Sequence, residues 1–94
     1  MLKKEVAALL EQQINKEFYS AYLYLDFANF YTDASLNGFA NWYNVQAQEE
    51  RDHALLFMQY MQNNSAKVTL EAIAKPEAEL KNNMDPVSYT HLTL

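Results

Sequence analysis

The sequence has no cysteine, only one glycine and only two prolines among its 94 residues. Without cysteine the chain has no disulfide framework, no thiolate metal site and no cysteine nucleophile. No apolar run reaches the length of about 18 residues that a membrane-spanning helix needs. The N-terminus also lacks the uninterrupted apolar stretch of a secretory signal, so we expect a cytoplasmic protein.

Basic residues are scarce as well. Seven Lys and Arg stand against twelve Asp and Glu, which gives a formal net charge of −5. Nucleic acids and anionic membranes select proteins with a basic face, so we expect neither as a partner. The acidic surplus is compatible with the handling of cations. Half of the residues are hydrophobic, so the chain should fold rather than stay disordered, as one domain at most.

The near absence of helix breakers before residue 76 favours long helices. We predict an all-α fold with one helix over residues 3–31 and a second over 36–62. The connection between them, residues 32–35, consists mostly of residue types that favour turns and helix N-caps. Such a short connection makes the two helices an antiparallel hairpin.

The rest of the chain changes character. For residues 63–83 we predict an irregular crossover segment. Polar turn residues follow the second helix, and Pro76 disfavours the helical conformation of the residue before it. A further helical turn could begin within residues 77–81. Residues 84–94 lack a helical period, and we interpret them as a non-native tail in which His91 is inert.

Polar side chains interrupt the seam that each helix would bury. On the first helix Glu17 is the exception in an otherwise apolar stripe at positions 10, 14, 17, 21, 24, 28 and 31. On the second helix Gln46, Glu50 and His53 occupy the middle of the stripe at positions 39, 43, 46, 50, 53, 57 and 60. Each helix therefore places ionisable groups where a core should be driest.

The hairpin geometry should bring these groups together. Glu17 lies 14 residues before Tyr31 and Glu50 lies 14 residues after Leu36, so both carboxylates are about 21 Å from the turn. His53 follows Glu50 by three residues and shares its face. We therefore expect the three side chains to converge between the helices.

Two carboxylates buried at one level would repel each other and lose hydration, which costs several kcal/mol unless they are neutralised. A divalent cation would remove this cost, and two glutamates with one histidine suit iron, manganese or zinc. Two alternative interpretations involve no metal. A Glu-x-x-His spacing arises by chance on surface helices, and Glu17 would be solvated if its stripe were rotated by one position.

Two further residues border the predicted site. Tyr24 lies two turns from Glu17 on the same stripe. It is either an ordinary core residue or, beside a metal, a hydrogen-bond donor to a ligand or an electron source. Glu49 lies next to Glu50 in the sequence but about 100° around the helix. It is either a solvated carboxylate or a ligand of an outer metal position.

The first helix is apolar on more than one side. Phe18, Tyr22 and Leu25 lie away from the Glu17 seam. They would form an exposed patch or a contact between subunits, and we expect the contact.

Three stretches of the sequence resemble the bacterial non-haem ferritin family: LLEQQINKEFYSAYLY (9–24), AQEERDH (47–53) and, more loosely, VTLEAIAKPEAE (68–79). The resemblance covers about residues 1–83. It implies a four-helix bundle with a short fifth helix, assembled as a 24-subunit shell that oxidises Fe(II) with dioxygen or peroxide and stores the ferric mineral. Nothing in the sequence matches the third and fourth helices, so the chain looks like the first half of such a subunit. We expect the chain alone to be inactive or only weakly active as a ferroxidase.

The resemblance also implies roles for individual residues. Glu17, Glu50 and His53 would hold one iron of a two-iron ferroxidase site, and Glu50 would bridge to the second iron. Tyr24 matches the tyrosine beside that centre, and Glu49 matches a ligand of a third iron position.

Two other functions stay open. The chain could be a two-helix protein whose homodimer completes a di-metal site, as in encapsulated ferritin-like proteins. It could also be a non-enzymatic helical hairpin used only for association, with its acidic residues solvated.

Overall fold

The computed structural model describes residues 2–76. Two long helices make up most of this part, α1 (Lys4–Asp33) and α2 (Asn37–Asn63), and they pack against each other along their length. Residues 64–76 have no regular secondary structure. The predicted all-α hairpin followed by an irregular segment is therefore confirmed.

The helix ends differ slightly from the prediction. The first helix continues two residues beyond Tyr31, to Asp33, and the Thr32 hydroxyl donates a hydrogen bond of 2.9 Å to the Ala28 carbonyl. The second helix begins at Asn37, and Leu36 occupies its N-cap position without a side-chain hydrogen bond. The turn residues before Leu36 therefore do not cap α2, although their types favour that role.

Both helices end in the same way. Ser35 and Ser65 each adopt a φ of 61°, a left-handed conformation that residues other than glycine rarely take. The next amide in each case reaches back to the last turn of the helix, Leu36 to the Tyr31 carbonyl (2.8 Å) and Ala66 to the Met61 carbonyl (2.9 Å). This backbone pattern terminates the helices without glycine.

The core between the helices consists of two apolar clusters. The cluster nearer the turn is built around Phe27 and Tyr43, and the other around Ile14, Ala54 and Met61. Glu17 and Glu50 occupy sequence positions between the two clusters on their respective helices. The interface between the helices therefore has a polar layer between two apolar layers.

The buried face of α2 is rotated relative to the predicted stripe. Its buried residues are Ala40, Tyr43, Ala47, Glu50, Ala54 and Met61. Phe39 and Tyr60, which were predicted to be buried, are 56% and 52% exposed. Three alanines at seven-residue spacing form the true contact face, because small side chains let the two backbones approach closely.

The segment after α2 returns along α1. The Asn15 side chain donates a hydrogen bond of 3.2 Å to the Ala72 carbonyl, and the Thr69 amide donates one of 3.1 Å to Glu11 Oε1. The continuation of the predicted crossover (77–83), with its possible helical turn, and the predicted tail (84–94) lie outside the described residues.

Neither of the two described helices is apolar enough over a sufficient length to cross a membrane.

Candidate metal centre

Three of the predicted site residues meet at one place between the helices. Glu17 comes from the middle of α1, and Glu50 and His53 lie one turn apart on α2. Each offers one ligand atom, and these three atoms all lie within 4.8 Å of one another. This separation is short enough for one cation to bind all three groups after small side-chain adjustments.

The histidine is close to both carboxylates. His53 Nδ1 lies 3.6 Å from Glu50 Oε2 and 3.7 Å from Glu17 Oε2. The side chains of Glu50 and Glu17 are only 8% and 14% exposed, whereas that of His53 is 54% exposed. The site is therefore closed on the carboxylate side and open at the imidazole, which gives an ion a path from solvent.

Burial changes the acid–base behaviour of Glu50. Loss of hydration, a hydrogen bond shared with Glu17 and the charge of Glu17 together raise the pKa of Glu50 from 4.5 to about 7, and His53 offsets part of this rise. Glu50 is therefore partly protonated near neutral pH without a metal. A divalent cation would displace that proton and neutralise both carboxylates.

A fourth side chain fixes one of the carboxylates. Gln13 lies one turn before Glu17 on α1, and its Nε2 donates a hydrogen bond of 2.9 Å to Glu17 Oε1. The other oxygen of Glu17, Oε2, faces His53. Sequence reasoning missed Gln13, although its four-residue spacing from Glu17 is the spacing at which helical side chains meet.

Tyr24 is buried, but its described ring contacts are with the aromatic cluster. Its ring lies 6.2 Å from that of Phe27 and 5.9 Å from that of Tyr43, measured between centroids. Glu49 is exposed and does not belong to the group of converging ligand atoms. The structure thus brings together Glu17, Glu50 and His53 and leaves Glu49 on the neighbouring face of α2.

The donor set fits a divalent transition metal. Two carboxylates and one imidazole suit ions such as iron, manganese and zinc, whereas soft ions prefer sulfur ligands. The raised pKa of Glu50 shows that two carboxylates at this site are costly without a positive charge between them.

A helical hairpin with one glutamate on the first helix and a Glu-x-x-His pair on the second is the arrangement found in each half of four-helix di-metal carboxylate bundles. The sequence matches the family of the Ferritin-like domain over residues 7–89, and the chain belongs to that family. The resemblance stated from the sequence motifs is confirmed.

Individual relatives agree with the family assignment. The chain is 37% identical to the bacterial non-heme ferritin of Campylobacter jejuni over 97% of its own length and 54% of that protein. It is 38% identical to the bacterial non-heme ferritin of Staphylococcus saprophyticus over 90% of its own length and 51% of that protein. The chain thus spans about half the length of the curated relatives it matches.

Solved structures show the same fold. An engineered closed form of the Archaeoglobus fulgidus ferritin superimposes with a TM-score of 0.92 at 32% identity, over 99% of this chain and 57% of that one. An open-pore ferritin from the same archaeon gives a TM-score of 0.91 at 33% identity, over 98% of this chain and 56% of that one. The hairpin therefore corresponds to half of a ferritin fold.

Proposed function

We propose that the chain binds ferrous iron as a substrate through Glu17, Glu50 and His53 and takes part in its oxidation and storage as ferric iron. The observation that carries the proposal is the meeting of these three ligand atoms within 4.8 Å between two buried helix faces. The ferritin names of the relatives support iron rather than manganese or zinc as the ion.

The residues contribute to the reaction through charge. Glu50 releases its proton as the ion enters, and the two glutamates then supply negative charge at a site that is closed to water on their side. Hard oxygen ligands stabilise the ferric product more than the ferrous reactant. The carboxylates therefore favour loss of an electron from iron to an oxidant such as dioxygen or peroxide.

A two-iron site requires more donors than the three described. In the proposed site Glu50 would supply a ligand to both irons, and Tyr24 would lie beside them. Glu49, which is exposed on the adjacent face of α2, serves an outer iron position. The remaining donors would come from helices that the described residues do not include.

We also propose that the chain associates with copies of itself, in a shell of the ferritin type, through the outer face of α1. Tyr22 and Leu25 support this contact, because they are 49% and 48% exposed although they are large and apolar. The cytoplasmic location expected from the sequence stays a prediction.

A second candidate function is a two-helix protein whose homodimer completes the metal site. The open side of the site at His53 and the exposed apolar residues of α2, among them Phe39 and Trp42, favour it. Two copies would supply four glutamates and two histidines, which is enough for two ions.

Iron binding and oxidation test the proposal directly. The purified chain is titrated with Fe(II) without oxygen, and oxygen uptake and ferric absorbance are then followed after air is admitted. We expect Fe(II) binding by the unaltered chain, with weak oxidation at most because donors of the second iron are missing, and loss of this binding in Glu50→Ala and in His53→Ala. Asp52→Asn is the matched control, because it removes an exposed carboxylate from the same helix turn.

Equal iron binding and oxygen uptake in all four proteins would refute the proposal. Sedimentation with and without the metal separates the two candidates. A dimer that forms only with bound metal, at two irons per dimer, would favour the homodimeric site.

A further inference from the structure

The two oxygens of Glu17 have different partners. Oε1 accepts the hydrogen bond of 2.9 Å from the Gln13 side chain on the same helix. Oε2 lies 3.7 Å from His53 Nδ1, on the side where Glu50 also lies. One oxygen is therefore held by α1 itself, and only the other faces the group of ligand atoms.

We propose that Gln13 is a positioning residue that makes Glu17 a ligand through one oxygen only, and that it thereby sets the preference of the site for small transition-metal ions over calcium. The inference rests on the proposed function of Glu17 as a metal ligand. It adds the way in which this glutamate is oriented and the selectivity that follows.

The physical reason lies in how carboxylates bind cations. Calcium takes six to eight oxygen ligands and often uses both oxygens of one carboxylate, whereas smaller ions accept fewer ligands in tighter geometry. An oxygen already engaged by an amide donor is less available as a second ligand. The hydrogen bond to Gln13 therefore disfavours the two-oxygen mode that calcium would exploit.

The hydrogen bond also fixes the orientation of Glu17 before an ion arrives. A free glutamate side chain must lose rotational freedom when it binds a metal, which weakens binding. Gln13 is only partly exposed, and Glu17 is 14% exposed, so water competes poorly for this contact. Mutation of a residue that hydrogen-bonds to a metal ligand typically lowers metal affinity by 10- to 100-fold.

The chain offers a matched control in the neighbouring residue. Gln12 precedes Gln13 on α1, but its side chain points about 100° away and is exposed. Gln13→Met removes the amide donor and keeps the length and volume of the side chain. Gln12→Met makes the same chemical change outside the site.

The experiment measures cobalt(II) and calcium binding to the full 94-residue chain. Cobalt(II) is a useful probe because its visible absorption weakens as its coordination number rises. For Gln13→Met we expect cobalt affinity to fall about tenfold, the visible band of bound cobalt to weaken, and calcium affinity to stay the same or rise. Gln12→Met should match the unaltered chain, and the thermal melts of all three metal-free proteins should agree.

The outcomes distinguish the inference from the function on which it rests. If Gln13→Met binds cobalt and calcium in the same ratio as the unaltered chain, with an unchanged cobalt spectrum, the inference is overturned and the proposed site stands. An equal loss of affinity for both ions would likewise overturn it, because Gln13 would then support the site without selecting the ion. If the unaltered chain binds no cobalt, or Glu17→Ala binds it equally well, both proposals are overturned.

Discussion

Replacing Glu50 by glutamine should stabilise the chain in the absence of metal. Glutamine has nearly the same shape as a protonated glutamate, and its amide can donate to Glu17 as the protonated acid does. It carries no charge, so it avoids the cost of holding two carboxylates in a buried layer. Glu50, which we assign to metal binding, is therefore predicted to destabilise the folded chain when no metal is bound.

The magnitude follows from the pKa. A carboxyl whose pKa is 4.5 in the unfolded chain and about 7 in the folded one binds more protons when folded throughout that interval. Stability therefore falls as the pH rises from 4.5 to 7 and is constant above 7. The full cost is about 3 kcal/mol at 1.36 kcal/mol for each pH unit. Glu50→Gln should recover about 1–3 kcal/mol at pH 8 and almost nothing at pH 4.5.

Urea unfolding followed by circular dichroism checks this, with a chelator present, at several pH values from 4.5 to 8. Asp52→Asn is the control, because it makes the same carboxylate-to-amide change on the same turn of α2 at a side chain that is 55% exposed. Cobalt at 100 times its dissociation constant should add about 2.7 kcal/mol to the free energy of unfolding of the unaltered chain and little to that of Glu50→Gln. The stability difference between the two proteins should then disappear. A Glu50→Gln chain that is less stable at pH 8, or a difference that does not vary with pH, would refute the reasoning.

Two further predictions concern the helix ends and the outer face of α1. Ser35→Gly should raise the free energy of unfolding by about 0.5–1 kcal/mol, because glycine adopts the φ of 61° without the steric cost of a Cβ atom; thermal and urea unfolding measure it. Leu25→Asp should shift the chain towards smaller species in sedimentation, because a charge in the middle of an apolar contact between copies would lose its hydration.

Each of these two predictions has its own control. Asn37→Gly also introduces glycine, but at a position with an ordinary φ, and it should destabilise α2; a Ser35→Gly chain no more stable than the unaltered one would contradict the argument. Gln48→Asp adds the same charge on an exposed polar position of α2. Equal sedimentation of Leu25→Asp and the unaltered chain would exclude the outer face of α1 as the contact.

The register of the site could be predicted because helical rise is nearly constant. The distances from Glu17 and Glu50 to the turn depend mainly on counting residues. The observed helix ends at Asp33 and Asn37 differ from the predicted ones by only one or two residues. The group of Glu17, Glu50 and His53 could therefore be named in advance.

The rotation of α2 about its own axis could not be predicted from the same counts. The residue stripes through Phe39 and through Ala40 both carry residues that suit a core. The stripe through the alanines is buried because it lets the helix axes come close, and this advantage exists only in contact with α1. This rotation places His53 at the open edge of the site, with more than half of its side chain in contact with solvent.

The sequence by itself determined two long helices, a short turn and acidic side chains at matching heights, because the lack of breakers and the fixed helical rise leave few alternatives. Only the tertiary structure decided which face of α2 is buried, which oxygen of Glu17 faces His53, and that burial beside Glu17 raises the pKa of Glu50 to about 7. These features depend on distances between atoms of different turns and different helices, and such distances are set only when the helices pack.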